Sequence, residues 1–194
     1  MTYGDMTAKA GLLDFYTSNS WEASRRFTLN FGVNAQAFML NGDWSVEPRV
    51  SCQWHTSEHG TLSFGYGLNS QVEKLDVYFV EKDGNNVNHD LNMTRAHHMQ
   101  MSYLYMLNAD LALRAEVLYQ RMFDMPIAEE GTYADATVSY KVNRKSVTHE
   151  FALKLINIFQ TKVPFKHVYN YKTNEVETFD WGVAVPNICY RINF

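Results

Sequence analysis

The sequence has almost no helical periodicity, only 2 cysteines and 4 prolines in 194 residues, and no long run of apolar residues. A transmembrane helix needs about 18 consecutive apolar residues, so none is expected here. A membrane β-barrel stays open, because its strands give a far weaker hydropathy signal. Mean hydropathy is −0.33. Cys52 and Cys189 fit no metal or redox spacing, and their strands and faces predict no disulfide between them. No basic run is longer than Arg25-Arg26, and the formal net charge is −4, which removes nucleic acid as a partner. Met1 is followed by Thr2, Tyr3, Gly4 and Asp5, which lack the basic start and apolar stretch of a secretory signal. Any signal is therefore expected either to have been removed or to lie upstream in a longer protein.

What the chain does have is aromatics, 12 Tyr, 12 Phe and 4 Trp, and a period of two. Phe27, Leu29, Phe31, Val33, Ala35, Ala37 and Met39 alternate with mostly polar residues. So do Val46–Trp54, Leu62–Leu68, Met99–Tyr105, Leu111–Tyr119, Ala134–Val142 and Phe151–Leu155. The eighth run is the end of the chain, where Ala184, Pro186, Ile188, Tyr190, Ile192 and Phe194 alternate with Asn187, Cys189, Arg191 and Asn193. Period two is the signature of strands. The whole of 1–194 is read as one antiparallel β-barrel domain of about eight strands. Ten strands, or an incomplete barrel, are the alternatives. Residues 1–22 are read as an extra strand or an irregular segment, since in Leu12–Trp21 both Asp14/Tyr16 and Phe15/Thr17 mix character.

The runs are long for a globular sheet, whose strands average five to six residues, and suit the roughly 9–11 tilted residues that cross a bilayer. Connection lengths also alternate. Short turns fall at Ser57–Gly60, Leu107–Asp110 and Asn143–Ser146. Longer links are Ser70–Met93, Met122–Tyr133 and Phe159–Asp180, with a compact one at Asn41–Ser45. Short turns at one end and long loops at the other form the outer-membrane pattern.

Two orientations compete. In a soluble lipocalin-like barrel the apolar face points inward; in a membrane barrel it meets lipid. The eight apolar faces carry no Asp, Glu, Lys or Arg, which suits both. The residues nearest the short-turn end discriminate: Phe27, Trp54, Tyr105, Tyr140 and Phe194 are all aromatic. An interfacial girdle needs rings with one wet edge, whereas the inner mouth of a soluble barrel does not. The apolar face is therefore expected to face lipid. Glu47, Glu116, Asp135 and Glu150 are then expected inside with Arg49, Arg114, Lys141, Lys154 and Arg191. Within this set Glu47, Arg49, Arg114, Glu116, Lys154 and Arg191 are expected to form a polar interior network.

The stretches "LNGDWSVEPRVSCQW", "GTLSFGYGLNSQ", "VYF", "LNMTRAHHMQMSYLY", "LRAEVLYQRMFDMPI", "KVNRKSVTHEFALKLINI" and "VYNYKTNEV" resemble the barrel of TonB-dependent outer-membrane receptors. More narrowly, they are similar to the receptors that carry a carboxypeptidase-regulatory-like domain before the plug. The resemblance implies the bacterial outer membrane, and a piece of a nutrient, siderophore or glycan transporter that is a receptor of 22 strands. Plug and TonB box have no counterpart here, and "FDMPIAEEGTYADATVSYK" reads as an internal shortening. TonB is thus a partner of the full-length family and not expected for this chain, and transport by it alone is not expected. The resemblance also makes Ile188, Tyr190, Ile192 and Phe194 the C-terminal signal read by the barrel-assembly machinery. That machinery and the lipid bilayer are the expected partners.

No catalytic chemistry is legible. Asp76, Glu81, Asp83 and Asp90 lie in a long loop without a calcium-loop pattern. His97 and His98 are adjacent in a strand and so point to opposite faces, and His55 and His59 flank a turn. Gly65 and Gly67 recur at period two inside a strand, where they make room rather than cradle a phosphate. No metal, no cofactor and no enzyme activity is expected. A small outer-membrane enzyme is the further alternative, and the ligand site is left unassigned.

Overall fold

The computed structural model describes residues 10–82, 85–125, 131–170 and 175–194. Strands β1 (Leu12–Ser24), β2 (Phe27–Phe38), β3 (Trp44–His55) and β4 (Gly60–Gln71) come first. A short helix α1 (Leu75–Tyr78) and the small strands β5 (Glu81–Lys82) and β6 (Asn85–Asn86) follow. Then come β7 (Thr94–Met106), β8 (Leu111–Phe123), β9 (Gly131–Asn143) and β10 (Thr148–Ile156), and after them β11 (Val163–Asn170), β12 (Glu175–Trp181) and β13 (Val185–Asn193). One sheet holds nine of these in the order β1-β2-β3-β4-β7-β8-β9-β10-β13, every neighbouring pair antiparallel. Among the described residues no helix is long and apolar enough to cross a membrane.

All eight alternating runs are strands of this sheet, and Leu12–Trp21 adds the ninth as part of β1. Register explains its mixed pattern. Pairing with β2 sets Leu13, Phe15, Thr17, Asn19 and Trp21 opposite Ala37, Ala35, Val33, Phe31 and Leu29. Thr17 and Asn19 thus sit on the apolar face, while Leu12 and Tyr16 sit on the polar one. Two links expected as loops carry structure of their own. Phe159–Asp180 contains the β11–β12 pair, whose register shifts between Pro164 and Lys166, a bulge that interrupts the alternation by which strands are read. Ser70–Met93 contains α1 and the β5–β6 pair.

Register also shows how completely the two faces separate. One row across the whole sheet reads Trp21, Leu29, Cys52, Phe64, Met101, Val117, Ala136, Leu155 and Pro186. The row of their immediate chain neighbours reads Glu22, Thr28, Gln53, Ser63, Ser102, Glu116, Thr137, Lys154 and Asn187. The apolar face is the outer one: Met101 is 53% exposed, Val117 52% and Leu153 56%. The polar face is concave and encloses a hollow of about 730 Å³ lined by side chains such as Asn30, Asn34, Arg49, Ser51 and Gln100. A soluble barrel would have these faces exchanged. Among the described residues, the cluster of large buried apolar side chains, Phe38, Tyr78 and Met93, lies at the long-link end of the sheet. The fold is an all-β antiparallel sheet of the membrane-barrel kind, with its apolar side turned out.

Among the described residues the sheet has nine strands, one more than the eight alternating runs, and leaves β1 and β13 as edges, which is the incomplete-barrel alternative. Among the described residues no pairing joins β13 to β1. Nine is odd, so in an alternating sheet both edges run the same way, toward the short turns. Direct closure would be a parallel seam, which is why Phe194 does not lead an antiparallel strand back onto β1. Antiparallel closure requires an odd number of further strands running the other way. Lipid leaves an open edge no water to satisfy its N–H and C=O groups, so the edges demand partners. Cys52 and Cys189 are free thiols on strands separated in the sheet and on opposite faces.

Candidate functional site

The concave face is where solute could meet this chain, and β3 supplies its most buried charge. Alternation places Ser45, Glu47, Arg49 and Ser51 inside while Val46, Pro48 and Val50 face out. Glu47 is fully buried. Its carboxylate accepts hydrogen bonds from the Ser70 N–H at 2.9 Å and from the Ser70 hydroxyl. Asn34, directly opposite on β2, donates through Nδ2 at 3.2 Å, and Arg49 adds an ion pair at 3.0 Å. Arg49 reaches on to Asn69 Oδ1, also at 3.0 Å. Gly67 stands directly opposite Arg49 on β4. Asn34 Oδ1 is buried without a hydrogen-bond partner and borders the 730 Å³ hollow, which a water in that hollow would satisfy.

A second hollow of about 220 Å³ lies on the same face between β8, β9, β10 and β13. Arg114, Glu116, Glu150, Lys154 and Arg191 line it. Arg191 and Glu150 approach to 3.8 Å across paired strands. The six residues expected as an interior network therefore fall into two groups, Glu47 with Arg49 on β3, and Arg114, Glu116, Lys154 and Arg191 around this hollow.

Outward-facing rings concentrate at the strand ends. Phe27 is directly opposite Trp54. Tyr105, Leu113, Tyr140, Phe151 and Tyr190 form one row two residues further along. Phe151 and Tyr190 stack at 4.6 Å, and the Tyr190 hydroxyl meets His149 Nδ1 at 2.8 Å. Phe194 follows β13 and is 97% exposed, while Ile188 and Ile192 face outward from the same edge strand. Trp21, Tyr103, Phe151 and Tyr190 belong to the same end; none of them is read as part of the girdle from the sequence, where Tyr190 is assigned to the C-terminal signal instead. A second outward group, Phe15, Trp44, Tyr66, Tyr119 and Phe123, stands at the long-link end. There Tyr66, His97 and Phe123 stack in series. Membrane barrels carry aromatic girdles at both interfaces.

The long-link end is braced by charge. Arg95 pairs with Asp43 at 3.1 Å and with Asp124 at 3.0 Å, and donates to the Trp44 carbonyl. Asp43 also accepts the Met93 N–H at 2.7 Å. Asp43 lies in the link after Gly42, whose φ of +75° is a left-handed conformation that glycine adopts without strain. Tyr78 of α1 packs on Phe38 at 5.1 Å, and its hydroxyl accepts the Glu73 N–H. Burial pushes the Tyr78 phenol above its ordinary value, with the nearby charges of Glu73 and Asp43 adding to the rise and the Glu73 N–H opposing it. Its contribution to the packing of this link is thus complete below the ordinary phenol pKa of about 10 and falls as pH rises through the folded value. A pH titration followed by phenolate absorbance should lose a late-ionising step in Tyr78→Phe.

Among the described residues no three His, Cys, Asp or Glu side chains are grouped to hold a metal ion. His98 points into the large hollow and His97 stacks outside, as adjacent strand positions must. No protein-family model and no curated protein matches this chain. Among solved structures it matches the FrpB iron transporter from Neisseria meningitidis (F3-3 variant) with a TM-score of 0.56 and 13% sequence identity. The sheet is similar in fold to an outer-membrane barrel. The match covers 75% of this chain and 25% of that one, so the chain spans about a quarter of the transporter's length. At this identity the likeness speaks for the fold alone.

Proposed function

We propose that this chain is a stretch of outer-membrane barrel wall of the TonB-dependent receptor kind. The finer family assignment is to the receptors with a carboxypeptidase-regulatory-like domain, internally shortened between β8 and β9. The observation that carries the reading is the unbroken uncharged row from Trp21 to Pro186 facing outward while its chain neighbours face a polar hollow. The likeness to an outer-membrane iron transporter supports it, as does the aromatic crowding at both strand ends. Its working surroundings are the lipid bilayer and the machinery that assembles such barrels. The residues presented to that machinery are Ile188, Tyr190, Ile192 and Phe194 at the end of β13. It is not an enzyme, and uptake is not its own act, because a nine-stranded open sheet encloses no pore to gate and drive. Its role is that of a wall segment or scaffold.

Refolding into detergent followed by flotation with liposomes tests this directly. The chain should rise with the lipid and remain after an alkaline wash; protein left at the bottom of the gradient would overturn the membrane reading. Bilayer recordings on the same material should stay silent. Steady porin-like conductance would show that the chain closes an open pore unaided and would overturn the wall reading.

A further inference from the structure

The 220 Å³ hollow has a construction that the wall itself does not require. Its floor is small: Ser139 and Ala152 are directly opposite each other, in one row with Arg114 on β8 and Cys189 on β13. The next row adds Glu116, Thr137 and Lys154, and the row on the other side adds Glu150 and Arg191. Long charged side chains thus ring a floor of short ones. The space is several times the ~30 Å³ share of one water molecule. Arg191 and Glu150 largely cancel across 3.8 Å. Among the described residues, Arg114 and Lys154 have neither an ion pair nor a hydrogen bond, and Glu116 is the one remaining acid lining the space. Two cations against one carboxylate leave a net charge of +1.

We propose that this hollow binds an oxyanion carrying about one negative charge, a carboxylate or phosphate group of a small solute. Arg114 presents a planar fork of donors that matches two oxygens at once, and Lys154 supplies a point charge from the neighbouring side. The hydroxyls of Ser139 and Thr137 are donors for the remaining oxygen. Cations gathered on a concave, low-dielectric wall focus their field, so an anion is drawn in more strongly than by the same charges on a flat surface. Glu116 limits the affinity for higher charge. Since the hollow is on the face turned away from lipid, the anion comes from the aqueous side and not from a headgroup.

Cys189 lines the hollow, and Cys52 is the other thiol, so Cys52→Ser leaves a single reporter inside. In that protein, refolded in detergent, a negatively charged methanethiosulfonate reagent should modify Cys189 about tenfold faster than its positively charged counterpart, the size expected from a local potential of a few kT. Sodium phosphate and sodium acetate should each slow the reaction more than sodium chloride at equal ionic strength; whichever protects at lower concentration identifies the oxyanion. Arg114→Gln with Lys154→Gln should abolish both the reagent preference and the protection. Glu116→Gln keeps both cations and should strengthen both effects, so the answer does not depend on the double variant folding. A purely structural role for these charges predicts no tightening in Glu116→Gln. Equal rates for the two reagents, or chloride protecting as well as phosphate and acetate, would overturn the proposal. Flotation of the same preparation separates the two readings, since protein that floats without anion preference refutes this site alone.

Discussion

Val117→Arg should prevent the chain from entering lipid, while Leu118→Arg, one residue further along the same strand, should leave insertion intact. Val117 lies mid-strand in β8 on the outer face, between Met101 and Ala136, and is 52% exposed in a row without charge from edge to edge. An arginine at the bilayer midplane costs roughly 2–4 kcal/mol, enough to shift an insertion equilibrium by about 30- to 1000-fold. Leu118 pairs with Gln100 and Asp135 on the polar face and borders the large hollow. A guanidinium there remains in water with a carboxylate nearby. Flotation measured on both variants gives the result. If the two behaved alike, or if Leu118→Arg were the one excluded from lipid, the assignment of outer and inner faces would fail.

Glu47→Ala should be the most destabilising single change in the polar interior, costing about 3 kcal/mol or more. The reason is what it leaves behind. The Ser70 N–H, the Ser70 hydroxyl and Asn34 Nδ2 all donate to that carboxylate, and each would lose its acceptor, Asn34 Nδ2 in a buried position and the two Ser70 groups in half-buried ones. Arg49, by contrast, has a side chain 54% exposed and a second partner in Asn69, so Arg49→Met removes only a solvent-screened pair worth about 1 kcal/mol or less. The urea midpoints of the two variants, refolded in the same detergent, should rank Glu47→Ala far below Arg49→Met. Similar midpoints would mean that the ion pair and not the cluster of neutral donors holds the carboxylate in place.

The sequence by itself determined which residues share a face. Phe27, Trp54, Tyr105 and Tyr140 could be placed on one side, and Glu47, Glu116 and Lys154 on the other, because side chains in a strand alternate with a period of two whatever the strand pairs with. The alternating lengths of the connections likewise set the order and direction of the strands. Where that signal is weak the reading stopped short. Leu12–Trp21 alternates poorly because Thr17 and Asn19 occupy outward positions, and only pairing with β2 reveals it as an edge strand. The β11–β12 pair is interrupted by a bulge, which breaks the period from which strands are recognised.

What only the tertiary structure decided is which charges meet, and how the sheet ends. Period two puts Glu47, Arg49, Arg114, Glu116, Lys154 and Arg191 on one face but contains no distance across the sheet. Register separates them by intervening strands into one saturated cluster around Glu47 and one hollow with unpaired cations. Strand number is a property of the whole sheet as well: one additional strand turns an even count into an odd one and sets the edges β1 and β13 parallel. Local pattern has no knowledge of that parity, because it arises from the pairing of residues far apart in the chain, and pairing is what three-dimensional structure supplies.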